Sequence, residues 1–230
     1  MRLQRMGICM NRKKIQRLMR KYGLFCPIRK ANPYRRMAKA LKTDRVAPNI
    51  VNREFRTHGP GKILLTDITY LKFQERFLYL SVIKDAYTMQ ILSHKLSDSL
   101  EVDFVLETIE KLSENSLCNL DAEVIIHSDQ GCHYTCVAFR KLLEDKKFRQ
   151  SMSRRDNCWD NAPQESFFGH MKDEIKPYMS DWTCVEDVEY RIADYIYYYN
   201  NDRYQTTLQG MSPNEYYIYL TSGMKPSALN

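Results

Sequence analysis

The sequence predicts an α/β fold in which a mixed five-stranded sheet is covered by helices and preceded by a basic helical arm. Three closely spaced strand-like runs are followed by an alternation of helix-like and strand-like runs. The chain has 230 residues, of which 43% are apolar, so it can bury a sizeable core. Lysine and arginine are concentrated near its start, which sets the arm apart from the body.

The first 58 residues are strongly basic. They carry seventeen Lys or Arg side chains against Asp44 and Glu54, a net charge of +15, and because the whole chain carries +7 the remainder sums to −8. A basic arm on an acidic body is typical of a protein that holds a polyanion such as nucleic acid with one of its parts. An arm that only adds solubility or adheres to ribosomes is the alternative.

Within this arm, residues 10–27 predict a short basic amphipathic helix. Ile15, Leu18 and Met19 recur at helical spacing, and Gly23 ends the pattern. The helix is either the last one of a partial helix-turn-helix unit or a solvated helix. Its basic side chains are predicted to bind DNA phosphates; they are Lys13, Lys14, Arg17, Arg20 and Lys21.

Three domains are predicted along the chain. Residues 29–60 are rich in Arg, Lys, Asn and Pro, which is typical of an extended linker, and they complete a DNA-binding arm over residues 1–58. A core follows over residues 59–178. Residues 179–230 are predicted to form a C-terminal helical extension that packs on the core.

The core begins with three strand-like runs joined by short connections, which predict an antiparallel meander. A helix and a further strand that returns to the sheet favour the ribonuclease H-like arrangement. The predicted strands cover residues 62–73, 76–87, 89–96, 122–129 and 148–153, and the predicted helices cover 99–114, 135–146, a stretch from about 161, a stretch ending near 200 and a short one from about 213.

Two aspartates stand in apolar strands. Asp67 lies within "ILLTDITYL" and Asp129 ends "EVIIHSD", where an ionised carboxylate is costly unless a cation compensates it. Gly131 is expected to let the backbone turn after Asp129. Two such strand ends can place carboxylates side by side around a divalent cation, and oxygen ligands select Mg²⁺ or Mn²⁺. His127 shares a strand face with Asp129, either as a supporting residue of this site or, the favoured interpretation, as an ordinary strand-end histidine.

A third carboxylate is offered by "RRDNCWDNAPQESFFGHMKDEI", residues 154–175. Asp160 or Asn161 is predicted to cap a helix, Asp160 being favoured, and Gln164 takes the capping-box position if Asn161 is the cap. Glu165 follows near the seam with the sheet, and Lys172 lies about two turns, or ~10 Å, further along the same face. Because 35 residues separate Asp129 from Glu165, and because Glu165 can meet two strand-borne aspartates, Glu165 is the predicted functional acid of this segment.

Four motifs in this order resemble those of the OrfB-type transposases of the IS-three family of bacterial insertion sequences. They are "TDITYL", "HSDQGCHY", "SMSRRDNCWDNAPQESFFGHMKDE" and "YYNNDRYQTTLQGMSPNEY", and the resemblance covers about residues 8 to 220. These transposases are relatives of retroviral integrases with a D,D(35)E active site. The resemblance therefore implies an integrase-type catalytic core over 59–178, with Asp67, Asp129 and Glu165 as its catalytic and metal-binding triad and with Lys172 touching DNA near the cut.

The implied reaction is phosphoryl transfer on DNA: cleavage and strand transfer at insertion-sequence ends, with two Mg²⁺ (or Mn²⁺) ions in each active site. Arg154 and Arg155, just before the third acid, are predicted to grip phosphate. Where the family usually reads SRxGN, this chain has Arg155, Asp156 and Asn157, so that an acid replaces a glycine in a loop expected to face DNA.

The expected partners are DNA, as element ends and target, further copies of the chain assembled on that DNA, and an upstream OrfA-type product, separate or fused. No stretch approaches the ~18 consecutive apolar residues of a membrane span, and the seven cysteines form no CxxC pair. We therefore expect a bacterial cytoplasmic protein, nucleoid-associated when bound to DNA, with no membrane partner.

Two alternatives stay open at this point. One is a plain metal-dependent nuclease of the same fold, which would hydrolyse DNA without joining it to a target. The other is a non-catalytic DNA-binding remnant or an inhibitor of the full-length transposase, for which a broken triad would be expected.

Overall fold

The computed structural model describes residues 6–8, 10–24, 46–114, 120, 123–154 and 158–225. These fall into two compact units. The first contains the described residues before 25 and those from 197 onwards, and the second contains those from 46 to 196.

The second unit is built on a five-stranded sheet. Its strands are β1 (Ile63–Phe73), β2 (Arg76–Asp85), β3 (Ile91–Ser97), β4 (Ile125–Ser128) and β5 (Arg149–Met152). Their order is β3-β2-β1-β4-β5, with β1, β2 and β3 antiparallel, β4 parallel to β1 and β5 parallel to β4. The predicted meander and the return of a fourth strand to the sheet are confirmed, and the structure places that strand parallel to β1, which requires a crossover connection.

The predicted helices are present, with small shifts of their ends. They are α1 (Arg12–Lys21), α2 (Asp103–Glu114), α3 (Cys132–Thr135), α4 (Val137–Asp145), α5 (Ala162–Ile175), α6 (Val185–Asn201) and α7 (Pro213–Ser222). Short 3₁₀ turns cover Cys158–Asn161, Lys176–Asp181 and Thr206–Leu208. No described helix is long and apolar enough to cross a membrane.

Helices cover the sheet on both sides. Against one face, α2 and α4 bury a cluster that includes Leu64, Ile83, Phe104, Ile109, Ile126 and Phe139. The apolar side of α5 is buried as the periodicity predicts, through Phe167, Met171 and Ile175. The ring of Phe167 also lies 6.4 Å from that of Tyr195 on α6. This packing fixes α5 relative to the strands, which matters for the site below.

Part of the stretch predicted to be a linker is docked on the core. The amide of Ile50 donates to Ser151 Oγ at 3.0 Å, and the amide of Met152 donates to the Pro48 carbonyl at 3.4 Å. The side chain of Val51 is buried. The basic and proline-rich composition that predicted a linker hides these few residues, whose partners lie about a hundred positions away along the chain. The earlier part of the predicted linker lies outside the described residues.

In the first unit, α1 forms as predicted. The side chain of Asn11 caps it by accepting a hydrogen bond from the Lys13 amide at 2.9 Å. Ile15, Leu18 and Met19 are partly buried, whereas the basic side chains along the helix are exposed. In the same unit, Ser212 and Glu215 form a capping box at the start of α7.

Candidate active site

The two strand-borne aspartates lie at the same level of neighbouring strands. In the parallel pairing of β1 with β4, Leu65 is opposite His127. Asp67 follows two residues later on β1, and Asp129 follows two residues later, just past the end of β4. Adjacent strands are about 4.8 Å apart, so this register places the two carboxylates at one edge of the sheet, close to each other.

The negative charges of both carboxylates contribute to the raised pKa values of two tyrosines. Burial raises the pKa of Tyr134 well above its ordinary value, and the negative charges of Asp67 and Asp129 add to that shift. Burial likewise raises the pKa of Tyr70, with further contributions from Tyr79, Cys132 and both aspartates. The two aspartates therefore share one electrostatic environment, which agrees with their register.

Each aspartate carboxylate is held by nearby donors. Asp67 accepts hydrogen bonds from the amide of Ile68 at 2.8 Å and from Asn161 Nδ2 at 3.2 Å. Asp129 accepts one from the amide of Gly131 at 2.8 Å. Gly131 was predicted for its backbone freedom, but its φ is −62°, which any residue adopts. The reason for glycine is space, since a Cβ there would lie only 2.9 Å from Asp129 Oδ1.

Hydrogen bonds connect the first turn of α5 to β1, which carries Asp67, and to the neighbouring strand β2. Asn161 is its N-cap residue, yet its side chain makes no capping bond and donates to Asp67 instead. Gln164 donates from Nε2 to the carbonyl of Val82 at 3.4 Å, and Val82 is the β2 residue opposite Asp67. The predicted capping box is therefore wrong, because both amides point to the sheet. Glu165 is the next residue of this turn.

A buried lysine makes a further hydrogen bond between β2 and α5 that the sequence did not predict. Lys84 on β2 is fully buried, and its Nζ donates to the carbonyl of Pro163 at 2.5 Å and lies 5.7 Å from the centre of the Phe167 ring. Burial lowers its pKa to about 7; the charge of Arg56 acts in the same direction and that of Asp85 opposes it. A lysine in the apolar run "YLSVIKDAY" is the same signal that identified Asp67, and could have been used.

Asp160 does not cap α5 as predicted. Its carboxylate accepts hydrogen bonds from Arg154 through the backbone amide, Nε and Nη2, from Arg53 Nε and from Asn49 Nδ2, all between 2.7 and 3.0 Å. These donors, Arg154 foremost, hold the pKa of the Asp160 carboxyl well below its usual range despite burial. The carboxylate thus joins the docked segment before β1 to the turn that precedes α5.

His127 supports the same turn. Its Nε2 lies 2.9 Å from the carbonyl oxygen of Asp160 and its Nδ1 lies 2.9 Å from Ser151 Oγ. Because a carbonyl only accepts, Nε2 carries the proton. The ring is buried, which lowers its pKa and keeps it neutral. His127 therefore supports the backbone that leads into α5. This is a larger role than that of the ordinary strand-end histidine that the sequence favoured.

The oxygen atoms that could serve as metal ligands at this edge of the sheet suit a hard divalent cation. Asp67 and Asp129 supply carboxylate oxygens, and the buried Oδ1 of Asn161 has no hydrogen-bond partner. Oxygen-only ligands of this kind match Mg²⁺ or Mn²⁺. No three His, Cys, Asp or Glu side chains are gathered closely enough to hold a metal ion within the part of the chain that the structure describes.

The predicted DNA-binding residues that the structure describes belong to both units. Lys172 is partly buried on α5. Arg154 is half exposed, with its guanidinium against Asp160. The five basic residues of α1 are exposed in the other unit. Arg155 and Asp156 lie outside the described residues.

The sheet order, with two aspartates on neighbouring parallel strands, agrees with the class of integrase-type catalytic cores. Residues 57–158 match the family model described as integrase core domain, and residues 165–218 match a second model with the same description. The catalytic core of the HTLV-2 integrase, solved as a dimer in complex with magnesium, has a TM-score of 0.53 to this chain at 19% identity, covering 69% of this chain and 97% of its own. That likeness confirms the ribonuclease H-like fold.

Relatives of known type narrow the class further. An uncharacterised transposase-like protein of Haemophilus influenzae is 36% identical over 91% of this chain and 94% of its own length. The transposase of insertion sequence element IS904 from Lactococcus lactis is 32% identical over 94% of this chain and 84% of its own. The chain belongs to the integrase-core transposases of bacterial insertion sequences, of the IS-three family, and its function is that of a DNA transposase.

Proposed function

We propose that the chain cleaves the ends of its insertion sequence and joins them to target DNA, with Asp67, Asp129 and Glu165 as the metal-binding catalytic triad. One observation carries this proposal: the turn of α5 that bears Glu165 is tied through Asn161 to Asp67, at the edge where the strand register brings Asp129 alongside. In this proposal the packing of α5 on the sheet lets Glu165 meet the two aspartates when the metal ions bind. The spacing of 35 residues between Asp129 and Glu165 agrees with a D,D(35)E polynucleotidyl transferase.

The cofactor we propose is Mg²⁺, or Mn²⁺, with two ions in each active site. When bound, such a pair activates the attacking water or 3′-hydroxyl and stabilises the leaving oxygen of an in-line displacement. The chain's own contribution is placement. Asn161 and Gly131 orient the carboxylates of Asp67 and Asp129, and the ties of α5 to β2 hold Glu165 in place. No covalent intermediate with a protein side chain is required.

DNA is held, in this proposal, by basic groups outside the triad. The exposed side chains of α1 suit the phosphate backbone, and Arg154, Arg155 and Lys172 are proposed to act closer to the cut. Each phosphate contact that is removed should lower the salt dependence of binding by about one unit. We retain residues 1–58 as the arm, 59–178 as the catalytic core and 179–230 as the extension.

The proposed assembly is a set of identical copies on DNA in the bacterial cytoplasm, with an upstream OrfA-type partner or fusion supplying part of the recognition of element ends. The proposed assembly from identical copies is supported by the HTLV-2 integrase core, which was solved as a dimer. The number of copies that meet at one pair of ends follows from the geometry of the DNA complex.

Strand transfer with a labelled element end, a target plasmid and Mg²⁺ tests the proposed function. A transposase yields labelled products longer than the substrate, and EDTA abolishes them. If only shortened products form, the protein is a nuclease of this fold. If the DNA is bound but neither cut nor joined at any divalent cation concentration, the protein is a non-catalytic remnant.

We expect Lys84→Met to keep the fold and impair the reaction. Methionine fills a similar volume, and replacing a buried charge by an apolar side chain is often neutral or stabilising by roughly 1–4 kcal/mol. Strand transfer should nevertheless fall about tenfold, because Pro163 loses its link to β2 and Glu165 is held less firmly. Thermal unfolding and single-turnover strand transfer measure the two effects separately.

The pH dependence of this variant follows from the pKa of Lys84, which burial lowers to about 7. The unfolded chain holds that proton more tightly, so the lysine costs stability below pH 7 and less as the pH rises. The stability gained in Lys84→Met should therefore be largest near pH 6 and shrink in alkaline buffer. Lys95→Met on β3, which removes a lysine paired with Glu107 far from α5, is the control and should transfer strands normally. Equal loss in both variants would contradict a role for Lys84 in placing α5.

A further inference from the structure

The turn before α5 presents an exposed tryptophan. The chain has two tryptophans. Trp182 is 7% exposed, whereas the indole of Trp159 is 68% exposed. Tryptophan is highly buried on average in folded proteins and is enriched at interfaces, so an exposed indole is a candidate contact for another molecule. Neither the triad nor the phosphate contacts proposed above make use of this ring.

The ring stands on a rigid base. Trp159 belongs to the 3₁₀ turn Cys158–Asn161, and the next residue, Asp160, is fixed through both its carboxylate and its carbonyl. Arg154 and Arg53 bind the carboxylate, and His127 binds the carbonyl. A mobile surface loop would carry few such bonds. The backbone beside Trp159 is therefore fixed, and its side chain is exposed to solvent.

That place is beside the proposed catalytic centre. Two residues after Trp159, Asn161 donates its amide hydrogen bond to Asp67. One helical turn further on comes Glu165. Consecutive residues advance by at most ~3.6 Å, so Trp159 lies within about 7 Å of Asn161 along the backbone. DNA whose scissile phosphate reaches Asp67 would therefore come near the turn that carries Trp159.

The surroundings favour a nucleic acid over an apolar partner. The side chains of Arg154 and Arg53 are 50% and 45% exposed beside the turn, where they can face phosphate as well as Asp160. An aromatic face with adjoining cationic groups is the combination that single-stranded nucleic acids use, with bases on the ring and phosphates on the cations. Both faces of a base inside a continuous duplex are covered by its neighbours, so such a base can reach a ring only by leaving the stack.

We propose that Trp159 stacks on an unpaired base next to the scissile phosphate, and so holds a locally opened DNA end at the active site. The inference rests on the proposed function, because it requires DNA at Asp67. It adds a ligand class, an unpaired nucleobase, and a residue that recognises it. Stacking would let the protein distinguish an opened DNA end from a continuous duplex without recognising the base sequence.

Tryptophan fluorescence tests the proposal directly. In Trp182→Phe the indole of Trp159 is the only fluorophore of its type, and the change costs no hydrogen bond because Trp182 Nε1 has no partner. This protein is titrated, with Ca²⁺ in place of Mg²⁺, against a blunt duplex of the element end and against the same duplex with unpaired terminal nucleotides. Stacking predicts strong quenching by the opened end and weak quenching by the blunt one.

Binding of labelled DNA, followed by anisotropy, supplies the second measurement. Trp159→Ala should bind the opened end about tenfold more weakly and the blunt duplex almost unchanged, while Trp159→Phe, which keeps a ring, should retain most of the preference. Equal affinities of wild type and Trp159→Ala for the opened end, or quenching that depends on protein concentration without DNA, would overturn the proposal. The second result would place Trp159 between copies of the chain.

The two proposals can fail separately. If the DNA binds and is joined but the fluorescence of Trp159 does not change, stacking is wrong and the proposed function stands. If neither DNA binds, both are wrong.

Discussion

Glu165→Gln is expected to lower the rate of strand transfer roughly a thousandfold, equivalent to about 4 kcal/mol of transition-state stabilisation. Glutamine keeps the size of the side chain and its place in the first turn of α5, so the change removes a negative charge and little else. That charge is the part of the residue that a divalent cation needs. The affinity for DNA should stay within about twofold, because positive groups outside the triad dominate it.

A matched substitution on the same helix separates charge from position. Asp173→Asn removes one carboxylate from the later part of α5, two turns beyond Glu165, and should leave the rate unchanged. Single-turnover assays with saturating protein measure both variants under conditions where binding is not limiting. Loss of activity in both, or in neither, would show that Glu165 has no special role.

Asp160→Asn is expected to lower the free energy of unfolding by about 2 kcal/mol. The carboxylate is fully covered while its two arginine partners are half exposed, so the loss is smaller than for a wholly buried pair and larger than for a surface one. Asparagine keeps the shape but cannot receive the same bonds from Arg53 and Arg154. Urea unfolding at pH 7 measures the difference. Asp98→Asn, which breaks an exposed pair with Arg76, is the control and should cost less than about 1 kcal/mol.

The same variant makes a prediction about acid. The pKa of Asp160 is held well below its usual range in the folded protein, whereas in the unfolded chain it is about 3.9. Its contribution to stability is therefore complete above about pH 5 and is lost as the pH falls through the folded pKa. The gap between wild type and Asp160→Asn should be constant from pH 5 to 8 and narrow below about pH 4. A gap that widens in acid would contradict the ion pair.

The sheet and the two aspartates were predictable because the signals are local. Alternating and apolar runs mark strands wherever the partners lie, and a carboxylate within such a run is conspicuous. Asp67 and Asp129 were found in this way, and the return of a fourth strand to the sheet followed from the helix before it, whereas its place beside β1 came from the structure. Lys84 carries the same signal, a charge in an apolar strand, and was overlooked because only acids were sought.

The surroundings of Asp160 were out of reach of such reasoning. An aspartate just before a helix is typical of a helix cap. Nothing in the neighbouring sequence reveals that its carboxylate instead binds Arg53 and Asn49, which lie more than a hundred residues earlier. Gly131 shows the same limit, since a glycine after a strand suggests a turn while the structure shows a close approach to Asp129. Contacts between distant segments decide both cases.

Manganese binding tests most directly whether Asp67, Asp129 and Glu165 form a single metal centre. Electron paramagnetic resonance titration of Mn²⁺ into the protein bound to an element end counts the ions held and gives their affinity. Removing the charge of any one of the three acids should weaken binding at least about tenfold, whereas Asp173→Asn should bind as the wild type does. If Glu165→Gln held Mn²⁺ as tightly as the wild type while the two aspartate variants did not, α5 would carry no metal ligand and the account of this site would be wrong.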